Sequence, residues 1–201
     1  MKKIIFLFDI DGVITDYAKA FCKYHNQLLF KKLKPKNLQK IPFNEHLKYN
    51  KKIYDCIKYL FRISGGEGKY SILIKKSKKF INWAFENGYL IFIWTSRPIT
   101  EFPNLKHETI WWLKKNKIKY HKLFFTDTMV AKEMFIYKLL KYKEIEKYKI
   151  IAVDDTLLSN YIYQIADEVY IYNQPYNQHL KGRRIKNLFD LVKRLKKRSN
   201  N

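Results

Sequence analysis

At 201 residues, with 47% hydrophobic and 17% aromatic side chains, the chain can build one sizeable core, or a core plus a small inserted module, and wholesale disorder is excluded. No stretch approaches the roughly 20 uninterrupted apolar residues of a membrane span, and Cys22 and Cys56 show neither metal-ligand spacing nor a disulfide scaffold, so a reduced, cytoplasmic setting is expected. The formal charge of +23 leaves two readings: attraction to phosphate-bearing partners, or compositional drift in a chain rich in Lys, Asn, Ile and Tyr but poor in Arg.

Met1-Lys2-Lys3 followed by Ile4–Phe8 is too brief for a signal peptide and predicts a buried first strand ending at Asp9 and Asp11. Helical periodicity follows over Tyr17–Leu33 and Leu47–Phe61, with Pro35 and Pro42 between and Ser64-Gly65-Gly66-Glu67-Gly68 closing the stretch. Residues 17–70 are therefore expected to form a helical insertion ahead of a helix at roughly Ser71–Asn87. Short apolar runs at Leu90–Trp94, Leu123–Phe125, Ile150–Val153 and Val169–Tyr172 then predict four more strands. Amphipathic segments separate the later ones, marked by Ile110, Leu113 and Ile118 and by Met134, Phe135, Tyr137, Leu139 and Leu140. Near-continuously apolar strands alternating with helices imply an α/β fold, a doubly wound parallel sheet covered on both faces. Residues 1–16 and 71–201 would form this core. The basic run Lys193–Arg198 reads as a solvated helix end or a binding arm.

In such a sheet, ligands bind at the carboxyl ends of the strands. There lie Asp9 and Asp11, Thr95-Ser96-Arg97, Thr126-Asp127 and Asp154-Asp155. Two carboxylates two residues apart at a strand end project from one face, and Gly12 lets the chain turn sharply after them. A calcium loop would need further acidic ligands downstream, which Val13, Ile14 and Thr15 do not supply. Asp154 or Asp155 could cap a following helix, but capping does not explain both acidic pairs. Four carboxylates on one rim repel unless a hard cation sits among them, and oxygen-only ligands point to Mg²⁺.

Asp9-Ile10-Asp11-Gly12-Val13, Thr95 at a strand end, Lys132 and Asp154-Asp155 resemble, in order, the four motifs of haloacid dehalogenase-type phosphatases. The insertion looks like that superfamily's C1 cap. Asp11-Gly12-Val13-Ile14-Thr15-Asp16, Thr95-Ser96-Arg97-Pro98, Thr109-Ile110-Trp111-Trp112-Leu113 and Gln174-Pro175-Tyr176-Asn177 with Arg184 are similar to strings of the 5′(3′)-deoxyribonucleotidase-like group. The resemblance implies hydrolysis of a phosphate monoester, with a small phosphorylated substrate such as a nucleotide. Asp9 would be the nucleophile, and Asp11 the acid and base, help typically worth about 10² to 10⁴ in rate. Asp11 also argues against a dehalogenase, which has no alkoxide to protonate. Mg²⁺ would be bound by Asp9, the Asp11 carbonyl and the Asp154-Asp155 pair, with Asp155 direct and Asp154 outer. Thr95, Ser96, Arg97 and Lys132 would bind the phosphoryl group; Lys138, deeper in the same segment, competes with Lys132. Arg97 could instead anchor its loop, and Thr15 or Asp16 could cap the first insertion helix. Tyr17, Phe21, Tyr24 and Phe61 either stack on a base or form the insertion's own core, and the histidines show no zinc spacing. Two other functions remain open: a phosphatase acting on nucleic-acid ends, and a catalytically silent binding protein on the same fold.

Overall fold

The computed structural model describes residues 3–30, 32–38, 50–127, 147–156 and 166–199, with backbone alone for 37 and 195–199. Its centre is a six-stranded sheet in the order β3-β2-β1-β4-β5-β6, every pairing parallel. The strands are β1 (Lys3–Asp9), β2 (Leu90–Thr95), β3 (Lys122–Phe125), β4 (Tyr148–Asp154), β5 (Glu168–Tyr172) and β6 (Arg184–Ile185). The first five fall on the predicted apolar runs. The sixth has only two residues, too short for any periodicity to betray it.

Parallel strands in register point their side chains alike, so the sheet sorts its residues into two buried layers. Phe6, Phe8, Ile91, Ile93, Ile151 and Val153 face one side. There they meet Phe80, Ile81 and Ala84 of α4 (Lys75–Glu86), Trp112 and Leu113 of α5 (Asn104–Lys115) and Leu191 of α6 (Phe189–Ser199). Ile5, Leu7, Trp94, Ile150 and Ala152 face the other side and are also buried, so both faces are covered.

Between β1 and α4 the described chain is helical: α1 (Tyr17–Leu29), a 3₁₀ turn (Pro35–Asn37), α2 (Lys51–Ile63) and the short α3 (Gly66–Lys69). These pack around their own cluster of Phe21, Tyr24, Leu38, Tyr54, Ile57, Phe61 and Tyr70. The predicted first helix ran to Leu33, but α1 ends at Leu29 with Phe30 left-handed at φ 52°. The Asn26 side chain binds both the N–H (2.7 Å) and C=O (2.8 Å) of Leu33, turning the chain back. α2 starts at Lys51, capped by Asn50; residues 47–49 lie outside the described set. The helix expected from Ser71 starts only at Lys75, because Ile72 and Ile74 instead bond to the backbone of Asp16 (2.8 Å) and Ile14 (3.0 Å). This bridge returns the chain to the core where the insertion began.

Candidate active site

β1 and β4 are neighbours, with Phe8 opposite Val153. The next residues, Asp9 and Asp154, therefore leave the sheet side by side at its carboxyl end, and Asp155 follows. One carboxylate oxygen from each of Asp9, Asp154 and Asp155 lies within 4.8 Å of the others, and all three residues are buried. Three buried carboxylates repel strongly, whereas an all-oxygen donor set of this span suits a hard divalent cation. The residues present therefore fit Mg²⁺. Both Asp154 and Asp155 bring an oxygen to the cluster, so the expected division into direct and outer ligand is not visible in the geometry.

Each acid has its own support. Asp154 Oδ1 accepts from the Thr156 N–H (2.9 Å) and hydroxyl (2.7 Å); the helix that Asp154 or Asp155 could cap lies outside the described residues. Asp155 Oδ2 accepts from the buried Tyr176 hydroxyl, whose pKa is pushed well up, first by burial and then by Asp155. Asn177 donates to the carbonyls of Asp155 (2.6 Å) and Tyr172 (2.8 Å), and Gln174 donates to that of Gly12. Arg184 in turn binds Asn173 and Asn177, fastening the whole segment. The Gln174–Asn177 run, legible only as a family-like string, is thus a brace under the acidic cluster. Gly12, at φ 83°, lies so close that a Cβ would strike the Asp155 carboxylate and the Tyr176 hydroxyl.

Asp11 faces a different set. Arg97 grips it through two parallel bonds, Nε to Oδ2 (3.0 Å) and Nη2 to Oδ1 (2.7 Å), and the Thr15 hydroxyl donates to Oδ1 (3.0 Å). Arg97 is itself buried, and its Nη1 donates to Thr109 (2.8 Å). Burial opposes its charge, but Asp11 and Glu67 outweigh that and hold its pKa above the ordinary value. Glu67, on α3, lies 3.0 Å from Arg97 Nε and accepts from Arg62 Nε at 3.4 Å. Burial raises the Glu67 pKa despite these two arginines, with Asp11 adding to the effect. Gly66 permits this approach: a Cβ there would run into the Phe61 ring and carbonyl. Sequence reasoning missed Glu67; the one weak signal was a single acid inside a glycine-rich closing segment.

The remaining candidates are placed as follows. Thr95 is buried at the end of β2, and its hydroxyl accepts from the Arg97 N–H (3.3 Å). Ser96 is half-buried beside it. Lys132 and Lys138, and the segment carrying them, lie outside the described residues. Asp16 caps α1 by accepting from Lys19 N–H (3.1 Å), whereas Thr15 turns to Asp11. Asp127 binds Thr100, tying the end of β3 to the loop after β2. Phe21, Tyr24 and Phe61 are buried in the insertion's aromatic core, which removes them as base-stacking surfaces. Tyr17 stays partly exposed.

No protein-family model matches the chain, and no curated protein matches it significantly. Solved structures do resemble it in fold. A haloacid dehalogenase-like family hydrolase from Streptococcus pneumoniae is 12% identical with a TM-score of 0.62, over 96% of this chain and 98% of that one. A "predicted phosphatase" from Clostridium acetobutylicum is 14% identical with a TM-score of 0.60, over 98% and 100%. Protein Tyrosine Kinase A of Mycobacterium tuberculosis is 13% identical with a TM-score of 0.64, over 96% and 98%. What they share with this chain is the fold, a parallel α/β sheet flanked by helices, matched over 96–98% of its length.

Proposed function

We propose that this chain is a Mg²⁺-dependent phosphomonoester hydrolase that works through an aspartyl-phosphate on Asp9, with a small phosphorylated substrate of the nucleotide class. The observation that carries this reading is the buried convergence of Asp9, Asp154 and Asp155 at the carboxyl rim of the sheet, with Asp11 two residues beyond the first. The descriptions of structural neighbours as hydrolases and a phosphatase point the same way.

Asp9, Asp154, Asp155 and the Asp11 carbonyl would hold the cation. When bound, Mg²⁺ supplies positive charge that lets two anions, nucleophile and phosphoryl group, approach each other. The chain's own groups carry the proton and the phosphoryl group. An Asp9 carboxylate oxygen bonds to phosphorus as the bond to the ester oxygen breaks, and that oxygen takes the proton of Asp11. Asp11 then accepts a proton from water as the water oxygen attacks the same phosphorus. Inorganic phosphate leaves and Asp9 is regenerated. The Thr95 hydroxyl, Ser96 and Lys132 are assigned to the phosphoryl oxygens. Residues 17–70 are assigned as the cap, closing over a small substrate and excluding water from the first step. Both cysteines are free, which supports a reducing, cytoplasmic setting. Among the described residues no helix is long and apolar enough to cross a membrane.

The test is phosphate release from a panel of monoesters, including nucleoside 5′- and 3′-monophosphates, with wild type and Asp9→Asn. Release should require both Mg²⁺ and Asp9. Full activity in the variant would contradict the proposal. The +23 charge favours one second reading, a phosphatase acting on nucleic-acid ends. Activity on oligonucleotides would then fall steeply with salt, whereas activity on mononucleotides would fall much less.

A further inference from the structure

A buried arginine that grips a candidate catalytic acid raises the question of what holds the arginine. Arg97 stands on the loop after β2, and among the described residues its guanidinium meets Asp11, Thr109 and Glu67. Asp11 takes Nε–H and one Nη2–H, and Thr109 takes an Nη1–H. Glu67 places Oε2 3.0 Å from Nε, yet that oxygen accepts no hydrogen bond. The reason is stoichiometric: Nε carries one hydrogen, already committed to Asp11. Glu67 therefore acts on Arg97 by charge alone along that edge, while Arg62 binds its other oxygen.

Arg97 and Glu67 are the buried members of this set, with Asp11 and Arg62 at its partly exposed ends. The Arg97 guanidinium stays charged out of water only while acidic partners remain beside it. Glu67 is 2% exposed and Arg97 4%, so the set is a built feature and not a surface ion pair. Glu67 also comes from the insertion, whereas Asp11, Arg97 and Thr109 come from the core. Among the described residues, Glu67 is the acid that the insertion sets beside Nε, on the edge that the guanidinium turns to Asp11.

We propose that Glu67 is a positioning residue: it fixes Arg97, and Arg97 fixes the direction in which the Asp11 carboxyl faces the leaving oxygen. The helical insertion thus contributes to the proton transfer as well as covering the site. This rests on the phosphatase reading above and deepens it.

Leaving-group dependence separates this role from a merely structural one. A 4-nitrophenolate leaves without needing a proton, whereas an alkoxide requires one. kcat/KM isolates the first phosphoryl transfer from later hydrolysis of the aspartyl-phosphate. Glu67→Gln and Arg97→Lys should therefore lose at least about tenfold more kcat/KM on an alkyl phosphate than on 4-nitrophenyl phosphate. Lysine keeps the charge of Arg97 but lacks the fork that spans both Asp11 oxygens. Thr109→Val removes the third hold on the guanidinium without changing its charge, and should show the same selective loss to a smaller degree. It serves where either of the other two variants fails to fold, as checked by circular dichroism. Equal losses on the two substrates in folded variants would overturn the inference and leave the phosphatase reading standing. A wild type inactive on both substrates with Mg²⁺ would overturn both.

Discussion

Replacing Tyr176 by Phe removes one hydroxyl from a buried ring and leaves its volume almost unchanged. Packing within the insertion's aromatic cluster should therefore survive. What goes is the bond donated to Asp155 Oδ2, the nearest support of the acidic cluster. Hydrogen bonds to charged groups are worth about 1.5–3 kcal/mol. For a chain of this length each kcal/mol moves the midpoint of thermal unfolding by about 2–4 °C, so the variant should melt roughly 3–12 °C below wild type in EDTA. The second effect concerns the cation. Losing a group that orients a ligand typically costs about 10- to 100-fold in metal affinity. Mg²⁺ stabilises whichever state binds it by RT ln(1 + [L]/Kd), so a given Mg²⁺ concentration should raise the variant's melting temperature less than that of wild type. The assay is a thermal melt at several Mg²⁺ concentrations. A variant melting within 1 °C of wild type, with the same Mg²⁺ response, would refute the view that Tyr176 sustains Asp155.

Three further outcomes are expected. Gly12→Ala combines a positive φ with a Cβ overlapping Asp155 and Tyr176, and should lower stability by about 2–6 kcal/mol in urea denaturation. Cys22 is buried and its pKa is pushed up to about 12, by burial first and then by Asp16. At pH 8 only about one part in 10⁴ is thiolate, so a thiol reagent should titrate exposed Cys56 rapidly and Cys22 only after denaturation. For Glu67 the folded pKa is raised, by burial foremost and with Asp11 adding, against Arg97 and Arg62. The folded state thus holds the proton more tightly than the unfolded chain. The stability of wild type relative to Glu67→Gln should be greatest below the unfolded pKa of about 4.3 and fall as pH rises through the folded value. The opposite trend in acid-range denaturation curves would contradict the assignment of burial as the dominant cause.

The sheet was legible because its strands are buried on both faces and therefore spell unbroken apolar runs, as in Ile4–Phe8 and Ile150–Val153. Element ends were less so, because non-local bonds decide them. Nothing local says that Ile72 and Ile74 will pair with the backbone of 14–16 and delay α4 to Lys75. The acids at the rim could be read because a strand ending in Asp9 predicts its own face and edge. The support beneath them was hidden. Tyr176 reaches Asp155 across 21 residues of sequence, and Arg97 reaches Asp11 across 86. Glu67 had only its place as a lone acid among glycines to mark it; its role exists only once Gly66 lets α3 lie against Phe61.

The central claim is that Asp9 carries the phosphoryl group. The direct measurement is acid quenching during turnover with Mg²⁺ and a monoester, borohydride reduction, and peptide mass spectrometry. An aspartyl-phosphate at residue 9 is reduced to homoserine, so homoserine should replace Asp9 in wild type only when Mg²⁺ and substrate are both present. Phosphate release with Asp9 unmodified, or reduction at another aspartate, would contradict the account.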